Sequence, residues 1–214
     1  DARHGEYATE MFESFLTFKP NLVFLEGFTD GVENAAWWRS MDKTYYDYPN
    51  QRINLLRKYG NHPFPTEQKL EAEACDYCYQ GTISDKTIES SQEDKMNNAP
   101  EQYVVKRCSD TKYNGGWHTD LTADGLNALR WKELPFRSGE SIIRFRYASE
   151  GEITVCCQIG NEMTQKVTLP ATGNAWEETE VAVYTRDTRG YADFNLAVIE
   201  GAISLNYVEI ITNK

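Results

Sequence analysis

The apolar residues change their period near residue 66, and that change divides the chain. Before it the spacing is helical twice. Tyr7, Met11, Phe15 and Leu16 recur three to four residues apart up to a break at Lys19-Pro20, predicting a helix with those four side chains inward. Residues 21–27 (Asn-Leu-Val-Phe-Leu-Glu-Gly) form a short continuous apolar run, as expected of a strand covered on both faces. A polar loop over 29–34 leads to Trp37 and Trp38. Pro49 then opens a second helix with Ile53, Leu55, Leu56 and Tyr59 inward and Gly60 as its stop. Residues 1–62 are thus expected to be a short α-β-α segment. One covered strand leaves its backbone edges without partners. The segment is therefore expected to end a larger parallel sheet or barrel, or to pack as an extension onto the rest of the chain. Residues 63–68, with Pro63 and Pro65 around Phe64, read as a stiff linker.

Beyond the linker the period falls to two. Residues 84–98 are polar and read as one long loop. Afterwards Ile143, Phe145 and Tyr147 alternate with Arg144 and Arg146, and Ile153, Val155, Cys157 and Ile159 with Thr154, Cys156 and Gln158. Phe194, Leu196 and Val198 alternate with Asp193, Asn195 and Ala197. Turn residues separate these runs at Ser138-Gly139, Glu150-Gly151, Gly160-Asn161, Gly173-Asn174 and Glu200-Gly201. Short half-buried strands at this spacing predict an antiparallel β-sandwich over residues 69–214, making the chain mainly β.

Composition narrows the ligand. A net charge of −11 repels phosphate, so nucleic acid and anionic membrane surfaces are excluded as partners. No apolar run approaches the length of a membrane span. Five Trp and thirteen Tyr exceed what a minimal core requires, although the core claims most such rings. Those left at the surface offer faces on which a sugar can stack. The five cysteines are odd in number, and Cys75-x-x-Cys78 alone falls short of the four ligands of a zinc site. A local disulfide and packed thiols both remain open there. His4, His62 and His118 lie in polar or linker contexts, and no Gly-x-Ser-x-Gly elbow occurs, which excludes a Ser-His-Asp hydrolase. Phosphate-cradling glycine loops are missing too. The polar opening Asp1-Ala-Arg-His, with no leader-like apolar stretch after it, is expected of a mature or cut chain.

Five short motifs succeed one another in the second part. Leu70-Glu71-Ala72-Glu73-Ala74, read as a strand, sends both carboxylates to one face. Then come Gly115-Gly116-Trp117, Phe145-Arg146-Tyr147-Ala148-Ser149, the segment 169–176 ending in Trp176, and the segment 203–210. In order and spacing, residues 69–211 resemble the family 6 and related carbohydrate-binding modules, jelly-roll sandwiches appended to glycoside hydrolases. The resemblance implies a structural calcium held by Glu71, Glu73 and Asn206, the last replacing the usual Asp. It also implies a sugar cleft framed by Trp117 and Trp176, with Ser204 where an Asn usually bonds the hydroxyls and with Tyr113 and His118 as rims. Residues 22–40 and 48–52 look like the last strand, loop and helix of an uncharacterised glycoside-hydrolase-like (β/α)8 family. Glu26, Asp30 and Glu33 would stand at the C-terminal strand end, where barrel active sites lie. One βα unit closes no site of facing carboxylates, so this chain is expected to be non-catalytic. The implied function is binding of an oligo- or polysaccharide by a secreted, periplasmic or cell-surface protein whose catalytic barrel lies outside this sequence. Two alternatives stand beside it: a structural or protein-binding sandwich packed on its own barrel, and the C-terminal part of an active glycoside hydrolase.

Overall fold

A computed structural model of the chain describes residues 3–23, 46–60, 65–90, 105–108, 116–185 and 190–212. They separate into two compact units, residues 1–63 and 64–214.

In the first unit a 3-10 turn, Arg3–Gly5, leads into α1 (Glu6–Thr17), which ends before the Lys19-Pro20 break. The helix is where its spacing predicts, but its inward residue is not. Tyr7 is 58% exposed and Phe15 and Leu16 are exposed too, whereas Phe12 is buried. A second helix, α2 (Gln51–Tyr59), explains the difference, because the Phe12 ring stacks on Tyr59 at 5.2 Å between centroids. A single ring pair, one position away from the predicted row, decides the contact. The amide of Gly60 caps α2 by donating to the Leu56 carbonyl at 2.9 Å. Gly60 has φ −74 and ψ 174, so the chain leaves in an extended conformation and not through a left-handed cap. Of the predicted covered strand, residues 21–23 are irregular and Leu22 is 81% exposed. Its remainder, with Glu26, Asp30, Glu33, Trp37 and Trp38, lies outside the described residues.

The second unit opens with β1 (Glu67–Glu71), a 3-10 turn (Ala72–Ala74), β2 (Tyr77–Tyr79), β3 (Gly81–Ile83) and β4 (Ile88–Ser90). It continues with β5 (Val105–Arg107), β6 (Trp117–Thr122), β7 (Ala128–Pro135), β8 (Gly139–Ala148) and β9 (Ile153–Ile159). The last strands are β10 (Gln165–Leu169), β11 (Glu177–Thr185), β12 (Tyr191–Glu200) and β13 (Ala202–Thr212). One sheet has the order β11-β8-β13-β6-β5, with β1 also paired to β13; the other runs β10-β9-β12-β7-β2. Both are antiparallel throughout, so the sandwich is as the alternation predicts.

The inward positions of the three alternating runs are all buried between the sheets. Phe194 is packed at 5.7 Å from Trp131 and 6.5 Å from Phe136. Cys156 faces the other way yet is also buried, because β3 and β4 form a hairpin that covers it with Tyr79 and Ile88. The long loop expected over 84–98 is therefore interrupted. Residues 84–87 are the hairpin turn, where Ser84 Oγ accepts from the Thr87 amide at 3.0 Å, and β4 comes directly after it. Gln158 on β9 fastens the hairpin from below. Its Oε1 accepts from the Ile88 amide at 3.1 Å and its Nε2 donates to the Lys86 carbonyl at 2.9 Å. All five cysteines are buried thiols, which sets the Cys75–Cys78 disulfide aside. Burial pushes the Cys78 thiol up to about 12.

Candidate functional site

Alternation along the six-stranded sheet buries one face and presents the other outward. That outer face carries His118 and Asp120 from β6, Arg144 and Arg146 from β8, Glu178 and Glu180 from β11, and Ser204 from β13. Two rungs organise it. Asp120, Ser204 and Ala148 are cross-strand partners, and so are Glu71, Tyr207, Arg146 and Glu178. Trp176, immediately before β11, covers this face. Its ring lies 5.2 Å from that of His118 and 5.3 Å from the guanidinium carbon of Arg146.

The alternation treats Arg146 as solvated, yet it is only 1% exposed. A buried cation needs partners. Arg146 donates from Nη1 to Asn206 Oδ1 at 3.1 Å and meets the face of Trp176, an attractive geometry for a cation. Burial pulls its pKa down from the ordinary arginine value, while Tyr207, Cys108, Glu178 and Glu71 push it back up. Asn206 itself is the extra residue of a bulge in β13, between Leu205 and Tyr207. Its Nδ2 donates to the Trp117 carbonyl, which ties β13 to the start of β6.

Asp120 is the other hub. It accepts from Ser204 Oγ at 2.7 Å, from Lys106 Nζ at 2.6 Å and from His118 Nε2 at 3.2 Å. Burial holds the His118 pKa below its usual value, against the pull of Asp120 and with the help of Lys106. The neutral ring that results donates from Nε2 and accepts the Cys108 thiol at Nδ1, 3.6 Å away. Cys108, His118 and Asp120 stand in the order of a nucleophile relay, but burial raises the thiol pKa, so it stays protonated. The chain of bonds positions; it does not activate.

Beside these groups, at one end of the sheet, lies a cleft of about 590 Å³ lined by Asp120, Ser149, Glu150, Asn174, Gly201 and Ser204 among others. Ser204 is thus at the cleft, and Trp176 lies two residues beyond Asn174. Trp117 is 48% exposed but stands at the opposite end of β6 from the cleft, and its side chain alternates away from His118. Tyr113 lies outside the described residues. The sequence pattern does not mark Asp120, Asn174 or Arg146 as site residues; only the Ser204–Asp120 register and the fold of Trp176 onto β8 bring them in. A second depression of about 730 Å³ lies on the other sheet and includes Arg130, Gln158, Asp193 and Asn195.

The implied calcium can be tested against its three residues. Glu73 is in the 3-10 turn and not in β1, so the two carboxylates do not share a strand face as expected. Glu71 is paired with Lys69 Nζ at 2.9 Å. Glu73 Oε2 is buried without a hydrogen-bond partner, an oxygen that a cation would satisfy. Burial, opposed by its own backbone hydrogen bond and reinforced by Glu71, pushes this carboxyl up to about 7. Asn206 is committed to Arg146 and to the Trp117 carbonyl. Calcium takes six to eight oxygens, and no three acidic, His or Cys side chains converge among the described residues. The set does not fit a calcium cage.

Several solved structures align with this chain. Among solved structures, the C-terminal CBM6 of LamC, a laminarinase of Zobellia galactanivorans, aligns at 18% identity with a TM-score of 0.46, covering 68% of this chain and 99% of that one. CsCBM6-3 of Clostridium stercorarium, in complex with cellobiose, aligns at 14% with a TM-score of 0.45 over 68% and 94%. A β-1,3-glucan binding CBM6 from Bacillus halodurans aligns at 17% with a TM-score of 0.45 over 66% and 92%. Nothing matches among curated proteins. Residues 1–77 match a family described as a domain of unknown function (DUF5010). Residues 103–210, half of the chain, match the family described as carbohydrate binding module (family 35), and the chain belongs to that family.

Proposed function

We propose that the sandwich binds a neutral oligo- or polysaccharide without transforming it, with Trp176 as the stacking platform and Ser204 and Asp120 as hydrogen-bonding groups. The observation that carries this reading is Trp176 itself: a half-buried indole fixed by Arg146 and His118, two residues from Asn174, which lines the cleft. An aromatic surface held before the ligand arrives saves the ordering cost of binding. Asp120, Glu150 and Glu152 line the cleft, so a uronate meets like charge there and a neutral sugar does not. Among the described residues of the cleft, Asp120 is held by three donors and Glu150 and Glu152 are exposed to solvent, which favours binding over acid–base catalysis. A polysaccharide ligand goes with a secreted or cell-surface protein. No helix among the described residues is long and apolar enough to cross a membrane.

Titration calorimetry of the full chain with a bound oligosaccharide tests the assignment. Trp176→Ala is expected to weaken binding by about 2 kcal/mol, roughly 30-fold in Kd. Unchanged affinity in that variant would remove Trp176 from the site. A second reading, docking on a protein such as a neighbouring barrel, is favoured by the exposed Tyr7, Phe15, Leu16 and Phe18 of the first unit. Concentration-dependent association that Phe18→Ser abolishes, together with no sugar binding, would select it.

A further inference from the structure

The family resemblance implies a divalent cation joining the first and last strands, and this chain has instead placed two of its own donors there. The rung Glu71–Tyr207–Arg146–Glu178 spans β1, β13, β8 and β11. It has a carboxylate at each end and the guanidinium between them. Tyr207 Oη donates to Glu178 Oε1 at 3.0 Å, Lys69 pairs with Glu71, and the Lys69 ammonium also lies 4.2 Å from the centre of the Tyr207 ring. Every acidic group of the rung thus has a donor or cation from the chain close by. The decisive position is 206. A carboxylate there would oppose the Trp117 carbonyl oxygen to oxygen at hydrogen-bonding distance, an arrangement that requires a cation between them. The amide of Asn206 supplies an N–H at that point and uses its carbonyl to fix Arg146.

We propose that the buried Arg146 guanidinium, locked by Asn206 and roofed by Trp176, is the cation of this clasp, so that the sandwich closes without a divalent metal. The strands β6, β8 and β13 are then joined by side-chain hydrogen bonds that the chain carries itself, and the platform under Trp176 does not depend on metal supply. The clasp requires nothing of any ligand, so its test is independent of sugar binding.

Thermal unfolding of the full chain, monitored by circular dichroism in excess chelator and in millimolar calcium, tests it. The midpoints are expected to agree within about 1 °C. A metal bound at a hundred times its dissociation constant would add about 2.7 kcal/mol, a rise of roughly 5 °C or more for a chain of this size. A calcium-dependent rise larger than about 2 °C in the unaltered chain overturns the proposal. Asn206→Asp restores the carboxylate and is expected to unfold at a lower midpoint in chelator and to recover in calcium. If that variant matches the unaltered chain in chelator, or shows no calcium response, the amide is not what displaces the metal and the proposal fails.

Discussion

Arg146, Asn206 and Glu73 illustrate how single side chains in this sandwich answer to neighbours far away in sequence. Glu73 has a consequence that can be measured. Its folded pKa, about 7, lies above the 4.5 of an unperturbed carboxyl because of burial, so the folded state holds that proton more tightly than the unfolded one. The stability it contributes is fully present below about 4.5 and is lost as pH rises through about 7. Chemical denaturation between these limits should show a decline that Glu73→Gln removes, about 1–2 kcal/mol once solvent screening is allowed for. A profile that keeps its slope in the variant assigns the proton elsewhere. In the core, Phe194→Ala empties the space between Trp131 and Phe136 and should cost about 3–5 kcal/mol by urea unfolding. The inward residues of β8, β9 and β12 are legible because period two needs only local sequence. Arg146 is not. Its position in the alternation is that of a solvated residue, and its burial depends on Trp176, which comes from a separate segment.

At the scale of elements, the sandwich is held by its two sheets and dressed by the β3–β4 hairpin. In sequence the hairpin reads as loop, because Ser84, Lys86 and Thr87 are turn residues and β4 is only Ile88–Ser90. What makes it a hairpin is Gln158, far along the chain, whose amide satisfies backbone groups on both Lys86 and Ile88. Gln158→Ala should leave those groups without partners and cost about 2 kcal/mol. Hydrogen exchange at the Ile88 amide should then accelerate more than exchange in β12; equal acceleration in both would mean that the hairpin and the sheet open together. Helix α1 carries the same lesson. Helical spacing locates a helix, but which of its faces is covered belongs to the partner, here the Tyr59 ring of α2.

Across the whole molecule, the family, the sandwich and an aromatic surface near a cleft that carries Asp120 and Ser204 agree with one another. The order of the motifs is enough to suggest the module, because strand order is fixed by chain order in one topology. Whether Trp117 and Trp176 share an opening depends on the path of loops that period and spacing do not encode. Charge makes a further prediction. A chain of net charge −11 that binds a neutral sugar releases no counterions, so Kd should change less than about twofold between low and high salt. A steep loss with salt would point to a charged ligand. The most direct measurement is a glycan array probed with the full chain, with product analysis of every positive. Saturable binding to one or more neutral oligosaccharides with no cleavage is predicted. No binding anywhere on a broad array, or turnover of a bound glycan, would contradict the account.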